Sequence, residues 1–406
     1  MAVSWTWKYV SSAAGGGGAG TSGDPWTLAE GISNQAAAQV IVVIDDGAYT
    51  ITSPTSSVNG TASAGGCVWV GCPSGSVPTD WDEAYSTLPS RLGFADKLDE
   101  TDMPVITVQT DPWVVSGDYV TFMGIKFQGN LSGDDIVEIQ VAAKGSGLLR
   151  CSIHQQNTST TNQTRCVLIG ADSSFAIHCD FLCDAEAWFA TSSNGACYVS
   201  TGNAIGAVMC RFETTATTTS RGHGASLMHT VFGSVFVSKS GTMCSSGSGS
   251  MGLFHCTFYG DGSSNAKALY NNFNYAGGDI ADSCHFTDLG AGVYAAGGIP
   301  DKFNWFFDCR SRDIANGIFD TPYTAEYESL GEVTTDDGDE TTDYVDASGG
   351  DFGLKSTAAG YSATKEGRNI GAEFTAPSGG GGGTTVISPR GHMRINGGLR
   401  RKGRRR

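Results

Sequence analysis

One short pattern returns down the middle of this chain: a small residue, most often cysteine, then one variable residue, then phenylalanine. It stands at Cys151-Ser152-Ile153, Cys179-Asp180-Phe181, Cys210-Arg211-Phe212, Thr230-Val231-Phe232, Cys256-Thr257-Phe258 and Cys284-His285-Phe286. Weaker copies flank the run at Ile125-Lys126-Phe127 and Cys309-Arg310-Ser311. Successive copies lie 26, 28, 31, 20, 26, 28 and 25 residues apart. A period in this range marks a repeat architecture. Within each copy the alternation has period two, the strand period, so the cysteine and the phenylalanine share one face and their neighbours the other.

Between copies the chain is rich in Gly, Ser, Thr and Asn, with further short apolar runs such as Val167-Leu168-Ile169 and Gly317-Ile318-Phe319. These residues suit turns and resist helix formation. A unit of about 26 residues with two or three short strands predicts one coil of a parallel β-helix, which buries its apolar face only by stacking on its neighbours. A β-sandwich needs no repeated residue identities and accounts for the pattern less well. Stacking predicts one inner ladder of Cys151, Cys179 and Cys210, and a second of Ile153, Phe181, Phe212, Phe232, Phe258 and Phe286.

At the start of the chain, Asp24-Pro25-Trp26-Thr27-Leu28 precedes the run Val40-Ile41-Val42-Val43-Ile44-Asp45-Asp46-Gly47. Asp24 suits an N-cap and Pro25 a first helical position, which predicts a helix over about 24–37. A strand ending at an Asp-Gly turn follows it. This entry resembles that of right-handed parallel β-helix proteins of the pectate-lyase-like class, where a helix covers the open end of the solenoid. Near the other end, Asp351-Phe352-Gly353-Leu354 and Asn369-Ile370-Gly371-Ala372-Glu373-Phe374 resemble the closing segment of bacterial and phage β-helix proteins. The resemblance implies an all-β solenoid over 20–375, with repeating coils over about 115–320 and a closing segment over about 321–375. Residues 1–19 are expected as an N-terminal arm, and 376–406 as a glycine-rich linker with a flexible basic tail.

Twelve cysteines suggest oxidation at first sight. Their inward ladder gives them a role as small buried hydrophobes, and thiols are expected. Met1 to Val10 lacks a basic region followed by an apolar core, so synthesis in a reducing cytosol is expected. No apolar run reaches the roughly 18 residues of a spanning helix, and membrane insertion is not expected.

The formal net charge is −16, and it is unevenly placed. Arg390, Arg394, Arg400, Arg401, Lys402, Arg404, Arg405 and Arg406 crowd the end of the chain, which has no acid after residue 389. The tail follows Gly379–Gly383 and reads as an interaction arm for acidic surfaces, among them a neighbouring subunit or another assembly protein. The acidic body repels phosphate, so nucleic acid is not expected as the main partner.

Enzymes on this scaffold place charged groups on the outer face of one sheet. The resemblance to pectate lyases implies aspartates for calcium and an arginine or lysine as base; polygalacturonase-like hydrolases imply clustered aspartates. The repeat supplies two columns for inspection. The residues before the cysteine read Arg150, His178, Met209, His229, His255, Ser283 and Asp308. Those after it read Ser152, Asp180, Arg211, Val231, Thr257, His285 and Arg310. Neither column gathers aspartates on adjacent coils. The predicted outer patch is therefore His178, His229, His255, His285, Asp308, Arg310 and Arg312, without a catalytic set. An acidic loop with Asp336, Asp337, Asp339 and Glu340 offers oxygen ligands for calcium but lacks EF-hand spacing. No cofactor is expected.

The resulting expectation is a non-enzymatic, homo-oligomeric structural protein of a phage particle. Such a decoration, collar, fibre or spike component would sit in the virion and present a surface to a host glycan. The alternatives are a polysaccharide lyase or hydrolase of the tailspike type, which is extracellular, and a bacterial surface adhesin.

Overall fold

The computed structural model describes residues 3–61, 64–90, 97–129, 135–156, 163–169, 171–184, 198–200, 206–214, 225–226, 230–238, 241–246, 252–260, 266–272, 280–282, 284–289, 291–296, 305–307, 309–314, 333–335, 344–346, 351–358 and 371–372. Among these, the chain winds as a right-handed parallel β-helix of three sheets. The first sheet holds eleven strands, from Thr6–Val10 to Trp305–Phe307. The second holds nine, from Thr55–Ser56 to Ala291–Ala296. The third holds eleven, from Tyr49–Thr52 to Val333–Thr335. Each strand between the sheet edges pairs in parallel with its counterpart one coil earlier and one later; Ser152–Gln155, for example, lies between Lys126–Gly129 and Asp180–Cys183. The coils thus extend beyond 115–320 at both ends.

The inner ladders form as the periodicity predicts. Cys151, Cys179, Cys210, Cys256 and Cys284 are fully buried, and all are free thiols. Phe181, Phe212, Phe236, Phe258 and Phe286 stack in sequence, with ring centroids 5.1, 4.8, 4.8 and 5.0 Å apart and interplanar angles of 14° or less. That spacing is the distance between hydrogen-bonded strands. The register differs from expectation at one coil. Ser234 and Phe236 occupy the ladder, and Thr230–Phe232 is a strand of the first sheet paired with Gly252–Phe254. The sequence Thr230-Val231-Phe232-Gly233-Ser234-Val235-Phe236 contains the pattern twice, and Gly233 selects the second copy.

Gly233 (φ 59°) sits at the bend between the first and third sheets. Gly124, Arg150, His178, Met209 and His255 hold the same left-handed conformation at the equivalent bends. For the four non-glycine residues this conformation is unfavourable. The ladder compensates: Arg150, His178 and Met209 each donate a backbone N–H to the next coil, at 2.9, 2.9 and 2.7 Å. Among the described residues, Arg150, His178, Met209 and His255, each just before a ladder cysteine, are therefore corner residues and not members of an outer sheet face.

The N-terminal end departs from an arm over 1–19 followed by a short helix over about 24–37. Thr6–Val10 is the edge strand of the first sheet, in register with Gln39–Val43. Helix α1 spans Leu28–Ser33, with Thr27 as N-cap and Glu30 completing a capping box. Asp24 instead accepts from the Ala19 N–H at 2.9 Å, and Trp26 bridges to Val10, which ties this segment to the sheet and delays the helix. Leu28 joins the buried core with Val10 and Trp69. Gly31 makes the close approach possible, since a Cβ there would lie 2.7 Å from Val10 Cγ2.

Two segments cover outer faces. Helix α2 (Trp81–Ser86) packs on the first sheet through Ala84, beside Trp5 and Trp7. The chain then passes the corner, where Arg150 Nη1 donates to the Pro89 carbonyl at 3.3 Å, and residues 97–100 cross the third sheet. Described parts of the predicted closing segment also lie on the third sheet. Tyr344–Asp346 and Asp351–Leu354 form an antiparallel pair whose Tyr344, Phe352 and Leu354 pack with Val235, Val237 and Tyr259. Among the described residues no helix is long and apolar enough to cross a membrane.

Candidate functional site

Four successive rungs of the third sheet, Lys126–Gly129, Ser152–Gln155, Asp180–Cys183 and Arg211–Thr214, build the site. Their inner residues are the ladder. Their outer residues form two columns, Lys126, Ser152, Asp180, Arg211 and Gln128, His154, Leu182, Glu213. Rungs lie about 4.8 Å apart, so groups in one column are near neighbours. Residues 97–100 run over them as a strap, and a cavity of about 240 Å³ opens between strap and sheet.

The polar contacts are dense. Asp180 is buried and accepts the Leu98 N–H at 2.7 Å. Arg211 is also buried; its Nε donates to Glu213 Oε2 at 3.0 Å, and its guanidinium lies 5.4 Å from the Phe352 ring centre. Lys97 Nζ reaches the same Glu213 oxygen at 3.2 Å. Burial opposes ionisation of Glu213, but Arg211 and Lys97 outweigh it and hold the carboxyl below the usual glutamate range. On the other side, Glu100 pairs with Lys126 Nζ at 2.5 Å and accepts from Ser152 Oγ. His154 Nε2 lies 2.7 Å from Asp184 Oδ2. A carboxylate only accepts, so the ring donates through Nε2 and Nδ1 is the basic nitrogen. Such a pair is an oriented proton acceptor.

Little of the predicted histidine patch comes together. His178 and His255 are corner residues, separated by the corners at Met209 and Gly233. His285 is on the third sheet but buried beneath Tyr344, whose hydroxyl lies 2.7 Å from His285 Nδ1. Apolar packing of the C-terminal pair seals it from solvent. His229 and Asp308 lie outside the described residues, as do the side chains of Arg310 and Arg312. So do Asp336, Asp337, Asp339 and Glu340, and the basic tail from Arg390 to Arg406. Of the second predicted column, Ser152, Asp180 and Arg211 do meet in the groove. Val235 stands where Val231 was expected.

The convergent acids escaped the sequence because they come from three places. Asp180 is in the column after the cysteine, Glu213 two residues further on, and Glu100 on the strap. The second outer column is at a fixed offset, so reading it would have found His154 and Glu213. Glu100 and Lys97 carry no repeat signal. Among the described residues no three His, Cys, Asp or Glu side chains converge as a metal site requires.

Among solved structures the chain is similar to pectate lyase Pel9A, at a TM-score of 0.59 and 11% identity, over 91% of this chain and 96% of that one. The chain has the pectate-lyase-like parallel β-helix fold. A rhamnogalacturonan lyase also matches, at a TM-score of 0.37 and 11% identity, over 84% of this chain and 90% of that one. At such identity the first likeness speaks for the fold alone. No family model matches, and no curated protein matches.

Proposed function

We propose that this β-helix is a polysaccharide lyase whose active site is the groove of the third sheet. The observation that carries this reading is that one groove is lined by His154, itself paired with Asp184, by Arg211 of the sheet and by Lys97 of the strap, with Lys126 on the rung next to Ser152. Cleaving a uronide by β-elimination needs a base for the proton next to the carboxylate and a cation to hold that carboxylate as charge develops. His154 Nδ1 takes the proton from C5, the C4–oxygen bond breaks, and a C4–C5 double bond forms. The departing sugar oxygen gains a proton.

Elimination fits the groove better than hydrolysis. Hydrolysis needs a protonated carboxyl as acid. Glu213 is held ionised by Arg211 and Lys97, which argues against that role for it. The expectation of a non-enzymatic rod rested on outer columns without convergent acids, and the groove removes that ground. The basic tail supports a separate docking role, whose test is deletion of residues 384–406 followed by sizing of the assembly; unchanged assembly contradicts it.

The enzymatic reading is tested by incubating the purified chain with acidic and neutral polysaccharides. Ultraviolet absorbance of unsaturated ends and release of reducing ends are followed together. Both signals are expected on a polyuronide, with a loss of about 10²-fold or more in His154→Gln. Reducing ends without unsaturation would indicate hydrolysis instead, and no product on any polysaccharide would remove the reading.

A further inference from the structure

The strap occupies the groove as a ligand would. Glu100 places a carboxylate against two groups from neighbouring rungs, Lys126 Nζ at 2.5 Å and Ser152 Oγ. Its next neighbours on the strap satisfy other parts of the floor: Leu98 N–H serves Asp180, and Lys97 serves Glu213. Residues 97–100 thus contact four successive rungs, through Lys126, Ser152, Asp180 and Glu213. The carboxylate is held by one cation and one hydroxyl, the pairing that would also recognise a sugar acid.

We propose that Lys126 and Ser152 form a carboxylate-binding subsite that Glu100 fills in the free protein, and that an acidic saccharide binds by displacing it. This rests on the groove being a glycan site, and it adds the substrate class and a built-in competitor. The Glu100–Lys126 pair is partly exposed, with side chains 36% and 21% accessible, so its displacement is not costly. Selectivity follows from the same contact. A saccharide that lacks a carboxylate leaves Lys126 with no replacement for Glu100 and has nothing to compete with.

The test uses the full chain carrying His154→Gln, so that binding is measured without cleavage. An oligogalacturonide and its neutral methyl ester are titrated by calorimetry. Adding Glu100→Ala is expected to tighten binding of the acid by about five- to tenfold, with no comparable gain for the ester. Lys126→Met in that background should abolish the gain. Glu100→Gln, which keeps the side-chain volume, should gain less in the same direction, and thermal melting of each variant confirms folding. Equal binding of the acid with and without Glu100 overturns the competitor while leaving the glycan site standing. An equal gain for the ester overturns carboxylate recognition. Absence of binding of either saccharide to every variant overturns the groove reading and the subsite with it.

Discussion

The outer face of the third sheet carries two different covers on one continuous register. Over the rungs of Lys126, Ser152, Asp180 and Arg211 the cover is the strap 97–100, and the contacts are ion pairs and hydrogen bonds around a cavity. Over the rungs of Val235, Thr257 and His285 the cover is the C-terminal pair of strands, and the contacts are apolar. There Ala372 N–H donates to Thr257 Oγ1 at 2.9 Å and Tyr344 meets His285, so even the polar groups are sealed. Arg211 marks the boundary, bound to Glu213 on one side and under Phe352 on the other. The backbone is the same in both halves. What differs is the outward residue on each rung, and that difference separates a face that stabilises the fold from one that is available for chemistry.

The largest expected effect probes the apolar half. Phe352→Ala removes a buried ring, and Tyr344→Ala does likewise; each should cost about 3–5 kcal/mol in denaturant unfolding. Lys97→Met on the polar half should cost less than about 1 kcal/mol, since that lysine is half exposed. Similar losses in both halves would erase the distinction. At the capped end, Gly31→Ala drives a methyl against Val10 and should cost about 1–3 kcal/mol without altering the groove.

A smaller effect depends on pH. The Glu213 carboxyl sits lower in the folded chain than in the unfolded one. Its pairing therefore adds stability above the ordinary glutamate range, near about 4.3, and that stability is lost as pH falls through the lowered folded value. Unfolding across the acid range should show this slope, and Glu213→Gln should flatten it by about 1 kcal/mol. Persistence of the full slope in the variant would assign it to other carboxyls. The smallest effect concerns two buried thiols of the first sheet, Cys67 on its inner face and Cys72 on its outer face under helix α2. Burial pushes Cys67 and Cys72 up to about 12, so the native chain should resist alkylation at mildly alkaline pH and react once unfolded.

Most of the fold was legible in the repeated cysteine and phenylalanine, because an inner ladder needs the same residue on every coil. Register was legible except where Phe232 and Phe236 offered two matches, and there the left-handed corner at Gly233 decides. The site was legible only in part. Ser152, Asp180 and Arg211 follow from the ladder. Glu100 and Lys97 reach the groove on an excursion between Cys67–Pro73 and Val105–Gln109, and an insertion has no period to betray where it lands. The closing segment over His285 was legible at Asp351–Leu354, but the face it lands on was not.

The central claim is that the polar half of this face is where a saccharide binds. A crystal structure of the His154→Gln chain with an oligogalacturonide tests it most directly. The account predicts saccharide density across the rungs from Lys126 to Glu213, with a sugar carboxylate against Lys126 and Ser152 in place of Glu100. Density elsewhere on the solenoid, with Glu100 still seated on Lys126, would contradict it.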